Sequence, residues 1–187
     1  VMLVHSETTS GLINPLKEIA GIAKAAGKTV LVDTMSSFAA YETDMKAFGI
    51  DALASSANKC LEGLPGLAFV VATKKLLEGE SSSKSLCLDL CDQYRYLYPD
   101  GKFRFTSPTT VLLALRRALD LYKLEGGLEA RKARYQANHD ALTEGMRRLG
   151  ITSIVPEKWQ SYIITTFDLG DISFANMYAR LKADGFV

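Results

Sequence analysis

The sequence predicts an α/β fold in which helices are layered on a mostly parallel sheet. Three observations support this prediction. Apolar runs of about five residues alternate with helical patterns through the first seventy or so residues. The two helical patterns in this part are each followed by a glycine, Gly27 and Gly49, which is a typical helix end. Polar side chains follow the predicted strands, and the carboxyl ends of strands are where such sheets bind ligands.

The first half contains four predicted strands and two predicted helices. The helix over 15–26 has apolar residues at three- and four-residue steps, which places them on one face. Asn14 and Pro15 predict its start, with Asn14 as the N-cap and Pro15 in the first turn. The predicted strands are 2–4, 28–32, 51–55 and 67–72, and the second helix is 44–48.

The second half predicts an α+β unit. Long helices are predicted over 109–123 and 128–149, separated by Gly126 and Gly127, and a third over 174–183 begins after Ser173. The expected strands are 151–155 and 161–167, while 85–90 alternates and predicts a strand or a short extended segment. We therefore predict two parts, a larger cofactor-binding domain over 1–126 and a smaller domain over 127–187.

Composition excludes several classes of protein. The 187 residues are 48% apolar and 23% charged, as in ordinary globular chains. A net charge of +1 provides no long-range attraction for nucleic acid or an anionic membrane, and no apolar run reaches the roughly 18 residues of a membrane span. The spacing of Cys60, Cys87 and Cys91 fits no metal site, and we interpret them as reduced thiols of a cytoplasmic protein.

Both ends of the chain carry apolar, strand-like sequence, in residues 1–5 and 185–187. Chain termini are more often polar and frayed. We therefore expect the sequence to be an internal part of a longer protein.

Lys59 lies on a short polar turn directly after a predicted buried strand. The turn, residues 55–66, opens with small polar residues and closes with glycines and a proline. A lysine is rarely buried without a partner or a covalent role. An amine that forms a Schiff base with an aldehyde cofactor has such a role. A solvated surface lysine is the alternative, and the turn alone favours it.

Asp33 and Thr8 also follow predicted strand ends. Pyridoxal phosphate needs an anion against its pyridine nitrogen, and Asp33 could supply it; the alternative is a structural role at a turn. The hydroxyl of Thr8 could contact the ring oxygen or the phosphate of such a cofactor, or simply form a local turn. We expect Thr8, Asp33 and Lys59 to meet at one edge of the sheet.

Thr106 and Cys60 have weaker signals. Thr106 precedes a predicted helix start, where hydroxyl and free N–H groups suit a phosphate, although an N-cap role is equally consistent. Cys60 follows Lys59 directly and could act as a nucleophile. No histidine lies near it in sequence, so a packing role is favoured.

Five blocks of this chain resemble class V aminotransferases of the fold-type I pyridoxal-phosphate superfamily, and among them the 2-aminoethylphosphonate–pyruvate transaminases. The resemblance covers essentially the whole chain, in order and with matching spacing. The blocks containing Lys59 and Thr106 are the most specific. The five are HSETTSG (5–11), VDTMSSF (32–38), SSANKCLEGLPG (55–66), SLCLDL (85–90) and RFTSPT (104–109).

The resemblance implies a partial fold-type I enzyme, with a three-layer α/β/α large domain and part of a small α+β domain. Lys59 would hold pyridoxal phosphate as a Schiff base and shuttle the proton. The other implied contacts are Asp33 at the pyridine nitrogen, Thr8 at the ring hydroxyl, Ser36 near the ring or phosphate, Thr106 at the phosphate of a neighbouring subunit's cofactor, and Arg104 as an anion contact.

The implied activity transfers the amino group of 2-aminoethylphosphonate to pyruvate, in phosphonate catabolism, by a homodimer with shared active sites. The alternatives are alanine–glyoxylate or serine–pyruvate transamination, or an inactive fragment of such an enzyme. Family members are roughly twice this length. Their phosphate loop, stacking aromatic and carboxylate-binding arginine would lie outside this sequence, so we expect no transamination by the 187 residues alone.

Overall fold

The structure is a computed structural model that describes residues 1–186. Val187, which belongs to the strand-like sequence noted at 185–187, lies outside the described residues. The strands are β1 (Met2–Val4), β2 (Leu31–Asp33), β3 (Ala52–Ser56), β4 (Ala68–Ala72), β5 (Thr152–Ser153) and β6 (Phe167–Asp168). The α-helices are α1 (Leu16–Ala25), α2 (Met45–Phe48), α3 (Lys74–Leu77), α4 (Leu90–Asp100), α5 (Thr109–Glu125), α6 (Gly127–Arg148) and α7 (Phe174–Ala183).

Four strands form the main sheet in the order β1-β2-β3-β4. The first three are parallel and β4 runs antiparallel to β3, so the predicted α/β fold with a mostly parallel sheet is confirmed. Val4 lies opposite Asp33, and Asp33 opposite Ala54, so the three parallel strands end at one edge. The β3–β4 connection is a hairpin, and it contains Lys59.

The apolar core lies between α1 and one face of the sheet. The buried helix positions follow the predicted spacing of four and three residues, so that they share one face. This packing fixes the sheet and therefore the edge at which its strands end. The core residues are Leu16, Ala20 and Ala23 of the helix, with Val30, Val32, Ile50 and Leu53 of the sheet layer.

The start of α1 differs in detail from the prediction. Pro15 occupies the N-cap position and no side chain caps the helix. Asn14 instead donates its side-chain amide to the carbonyl of Val4 at 2.8 Å. Asn14 therefore ties the helix start to the end of β1.

The second half is dominated by two long helices, α5 and α6, which pack against each other. They are joined at Gly126, whose φ of +115° suits glycine. α7 has the predicted bounds and is capped by the Ser173 hydroxyl. The boundary at 126 and 127 coincides with this turn, but the division into domains remains a prediction.

Two predictions for the second half are wrong. Residues 85–90 form no strand. They lead into α4, which begins at Leu90 and is capped by the carboxylate of Asp89. The strands predicted over 151–155 and 161–167 are reduced to the two-residue pair β5 and β6. No helix within residues 1–186 has the length and apolar character needed to cross a membrane.

Candidate active site

The carboxyl ends of β1, β2 and β3 form one edge of polar loops. Backbone bonds align them: the amide of His5 donates to the carbonyl of Asp33 at 2.9 Å, and that of Thr34 donates to Ala54 at 2.9 Å. The loops that leave this edge carry Thr8, Ser36 and Lys59. The strands that precede Thr8 and Lys59, and the strand that ends with Asp33, therefore finish at one edge as predicted, while the roles of these residues stay predictions.

Lys59 lies in a tightly closed turn, residues 57–63, which we call the lysine loop. The amide of Glu62 donates to the carbonyl of Lys59 at 2.8 Å, and that of Gly63 to Ala57 at 2.8 Å. Lys59 is exposed, and no hydrogen bond or ion pair described within residues 1–186 engages its Nζ. The loop therefore fixes the backbone of Lys59 and leaves its amine available.

Gly63 makes the closed shape of this loop possible. A Cβ atom at this position would lie 2.9 Å from the backbone oxygen of Ala57. Real Cβ atoms do not approach a backbone oxygen so closely without a shift of the chain. Glu62, next to it, adopts a left-handed φ of +58°, which is uncommon for a residue other than glycine.

Asp33 combines a structural bond with a free oxygen. Its Oδ1 accepts from the amide of Met35 at 2.8 Å, a local turn of the kind that aspartate often stabilises. Among the hydrogen bonds described for residues 1–186, this is the only one that involves its carboxylate. The second oxygen of this half-buried carboxylate has no hydrogen bond described within residues 1–186.

Thr8 and Ser36 contact each other directly. Their hydroxyl oxygens lie 2.8 Å apart, with Thr8 exposed and Ser36 buried. The carbonyl of Ser36 accepts from the thiol of Cys60 at 3.4 Å. Contacts between neighbouring loops thus connect Thr8, Ser36 and the residue that follows Lys59.

Thr106 and Arg104 form no hydrogen bond with this group among the described residues. Thr106 is exposed, and no hydrogen bond within the described chain joins it to the other predicted site residues. Its alternative role as N-cap is wrong, because Pro108 occupies that position. Arg104 donates to the carbonyl of Leu86 at 2.6 Å and pairs with Asp92 at 2.9 Å, so its guanidinium is engaged within the chain.

Cys60 fits the packing interpretation. Its side chain is buried, and burial raises the pKa of the thiol to about 11. A neutral thiol is a poor nucleophile at neutral pH. All three cysteines are free thiols in the structure, with Cys87 exposed.

Sequence reasoning missed two buried groups next to the site. Arg131 of α6 is 2% exposed and donates to the backbone carbonyl of Cys60. The sequence of α6 is highly charged, which is typical of a helix exposed to solvent, so this burial was not predicted. His5 is 5% exposed, and its ring packs edge-on against that of Tyr41 with 5.4 Å between the ring centroids. Burial lowers the pKa of His5 to about 4, so it is neutral at physiological pH.

The site is an open edge and not an enclosed pocket. Two cavities among the described residues, of about 780 and 350 Å³, lie beside α6 and the β5–β6 pair and beside α1, and His5 lines the second. Lys59 lines neither of them. Among residues 1–186, no three His, Cys, Asp or Glu side chains are grouped as a metal site requires.

This arrangement of sheet edge and lysine loop belongs to a known class of protein. A family model described as aminotransferase class V matches residues 1–186. The chain therefore belongs to the class V aminotransferase family, as its resemblance predicted. The structure of an alanine–glyoxylate aminotransferase from Nostoc sp. superposes with a TM-score of 0.88 at 26% identity, over 98% of this chain and 50% of that one. This likeness confirms a partial fold-type I domain.

More similar relatives within the family share one name. The chain is 48% identical over 191 residues to a 2-aminoethylphosphonate–pyruvate transaminase of Phocaeicola vulgatus, covering all of this chain and 53% of that protein. It is 48% identical over 192 residues to the transaminase of the same name from Vibrio cholerae, covering 52% of it. The chain thus spans about half the length of the curated relatives it matches.

Proposed function

We propose that the chain carries the pyridoxal-phosphate-binding part of a transaminase. The enzyme would transfer the amino group of 2-aminoethylphosphonate to pyruvate, forming phosphonoacetaldehyde and alanine in phosphonate catabolism. The free amine of Lys59, at the sheet edge that also carries Asp33, is the observation that carries the proposal. The names of the relatives at 48% identity support this choice of substrates.

The side chains at this edge fit pyridoxal phosphate. When bound, this cofactor supplies an electron sink for the carbon that bears the amino group. The free oxygen of Asp33 suits a protonated pyridine nitrogen, because a carboxylate favours the charged form. The exposed hydroxyl of Thr8 is oriented by Ser36 and suits the ring oxygen.

Lys59 would act through its Nζ in two ways. The amine would hold the cofactor covalently, and it would accept and return the proton of the substrate carbon that bears the amino group. Both tasks require the amine to return to one place. The hydrogen bonds of the lysine loop meet this requirement by restricting the backbone of Lys59.

We place this enzyme in the cytoplasm as a homodimer with shared active sites. Three free thiols in a chain of this size support a reducing compartment. Thr106 is exposed and has no hydrogen bond to the Lys59 edge among the described residues, which is consistent with a contact to the phosphate of the partner's cofactor. Arg104 is a weaker candidate for an anion contact, because its guanidinium already pairs with Asp92.

Covalent trapping of the cofactor tests the role of Lys59. The 187-residue chain is mixed with pyridoxal phosphate and reduced with borohydride, and the modified peptide is identified by mass spectrometry. We expect a stable adduct at Lys59 that is lost in Lys59→Ala and kept in Lys84→Ala, an exposed lysine of another loop. Equal labelling of wild type and Lys59→Ala would contradict the proposal.

Substrate choice is tested in the natural polypeptide that carries these residues. We expect kcat/KM for 2-aminoethylphosphonate with pyruvate to exceed that for alanine with glyoxylate. The reverse order would favour alanine–glyoxylate transamination, which the close superposition on the Nostoc enzyme makes the second candidate.

A further inference from the structure

We propose that Arg131 is a positioning residue for Lys59, acting through a cluster of two arginines and two glutamates. The arginine–glutamate cluster consists of Glu62, Glu125, Arg131 and Arg134. It fixes the lysine loop to the α5–α6 helix pair through atoms other than those that contact Ser36. The inference rests on the proposed role of Lys59.

Arg131 contacts the residue that directly follows Lys59. Its Nη1 donates to the backbone carbonyl of Cys60, while its Nε donates to Glu125 at 2.7 Å. Its Nη2 lies 2.5 Å from Glu125 and 3.5 Å from Glu62. One planar guanidinium thus joins the lysine loop to the helix pair, a geometry that the point charge of a lysine cannot reproduce.

Glu62 holds the loop from its far end. It accepts from Arg134 at 2.8 Å and from the hydroxyl of Tyr135 at 3.1 Å. Its backbone amide closes the loop on the carbonyl of Lys59, and it does so with a left-handed φ. These side-chain bonds stabilise a conformation that a residue with a Cβ otherwise avoids.

Two members of the cluster have pKa values moved away from the physiological range, because Glu125 and Glu62 raise the pKa of Arg134 and the arginines lower that of Glu125. Hydrogen bonds from Arg134 and Arg131 lower the pKa of Glu125 to about 2. Arg131 is 2% exposed, so its charge is stable there only with these acceptors in place. The Glu125–Arg134 pair therefore acts as a fixed support and not as a titrating switch near neutral pH.

Cys60 connects this support to the cofactor edge. Its carbonyl accepts from Arg131 on one side, and its thiol donates to the Ser36 carbonyl on the other. Ser36 in turn lies 2.8 Å from Thr8. A displacement of the Cys60 carbonyl would therefore move Lys59 relative to the two hydroxyls predicted to contact the cofactor.

The test compares Arg131→Gln with Arg147→Gln. Arg147 lies on the same helix, is exposed and pairs only with Glu144 among the described residues, so it is a matched control. Two properties are measured on variants that circular dichroism shows to be folded. The first is the dissociation constant for pyridoxal phosphate, with the pH midpoint of its visible absorbance band. The second, without cofactor, is the alkylation rate of Cys60 relative to exposed Cys87.

We expect Arg131→Gln to weaken cofactor binding by about tenfold to a hundredfold and to shift the pH midpoint, because the amine is displaced. Alkylation of Cys60 should accelerate while that of Cys87 is unchanged. Arg147→Gln should match wild type in the dissociation constant, in the pH midpoint and in the relative alkylation rate. A merely structural arginine would lower stability without moving the pH midpoint.

Glu62→Gln provides a second variant that keeps the buried Arg131–Glu125 pair, and its side chain is 43% exposed. If Arg131→Gln does not fold, Glu62→Gln tests the inference in its place. We expect it to change cofactor affinity, the pH midpoint and Cys60 alkylation in the same direction as Arg131→Gln, but by less. Wild-type values of the pH midpoint and of Cys60 protection in the folded variants would overturn the inference. Cofactor binding is measured in the natural polypeptide that carries these residues. Failure of that wild-type polypeptide to bind pyridoxal phosphate would refute the proposed function instead, while Cys60 alkylation still tests the support of the loop.

Discussion

At the scale of single residues, the site uses side chains that have a structural and a chemical task at once. Asp33 stabilises its own turn through Oδ1 and keeps the other oxygen free. Ser36 is buried, yet its hydroxyl orients the exposed Thr8. Separate substitutions can therefore distinguish the chemical task from the structural one.

We predict that, in the natural polypeptide that carries these residues, Asp33→Asn preserves the fold and reduces transamination by at least about a hundredfold, through loss of the charge that would oppose the pyridine nitrogen. The asparagine oxygen can still accept from Met35, so thermal stability should change little. Asp44→Asn is the control, since Asp44 caps α2 through a bond to Ala47 and is not a predicted site residue. Equal activity of the Asp33 variant and wild type would contradict the assigned role.

We predict that His5 makes stability depend on pH. The folded-state pKa of about 4 lies below the ordinary 6.5, so the unfolded chain binds the proton more readily. The stabilisation is complete above pH 6.5 and is lost as pH falls towards 4, by roughly 3 kcal/mol in total. Urea unfolding at pH 7, 6, 5 and 4 should show a smaller slope in His5→Gln than in wild type. Identical slopes would exclude His5 as the cause.

The sequence predicts where a residue lies in the fold when its place after an apolar strand is visible in the sequence. Lys59 and Asp33 are conspicuous because they follow apolar strands, and the structure places both at the strand edge. Arg131 could not be identified in this way. Its helix is charged throughout, and only the tertiary packing of α6 on the lysine loop shows that this one arginine is buried.

At the scale of elements, the lysine loop is the connection of a hairpin, and Gly63 allows it to close. We predict that Gly63→Ala destabilises the protein by about 1–3 kcal/mol, because the added Cβ would meet the Ala57 oxygen at 2.9 Å. Gly145→Ala in α6 is the control, with no atom within 4 Å of its added Cβ. It should stabilise by about 0.5–1 kcal/mol, since alanine favours helix interiors. Urea unfolding measures both, and a stabilised Gly63→Ala would refute the close contact.

Elements could be predicted where apolar spacing reflects burial. The alternating leucines at 86, 88 and 90 predicted a strand. They are 67%, 77% and 46% exposed, so their alternation does not come from burial of one face of a sheet. α4 was missed because it has no buried residue to produce a helical stripe, and it contains Pro99 near its end. The antiparallel direction of β4 also has no signature in its composition, since an apolar run fits either direction.

At the scale of the whole molecule, backbone hydrogen bonds cross the boundary predicted from sequence. The amide of Ser161 donates to the carbonyl of Gly11 at 2.7 Å, and that of Ile13 donates to Trp159 at 2.8 Å. Arg131 binds the Cys60 carbonyl across the same boundary. The loop after β1 and the lysine loop are thus both held by residues of the second part.

We predict that residues 1–126 and 127–187 unfold in one cooperative transition, and that Tyr41→Phe lowers its midpoint by about 3–8 °C. The Tyr41 hydroxyl accepts from the amide of Tyr162 at 3.0 Å, and the two rings stack at 4.1 Å. Loss of the hydroxyl leaves a partly buried amide unpaired, at a cost of about 1–3 kcal/mol. Tyr178→Phe, in an exposed ring on α7, is the control and should leave the midpoint unchanged. Two calorimetric transitions, with only one shifted in Tyr41→Phe, would instead show that the parts unfold separately.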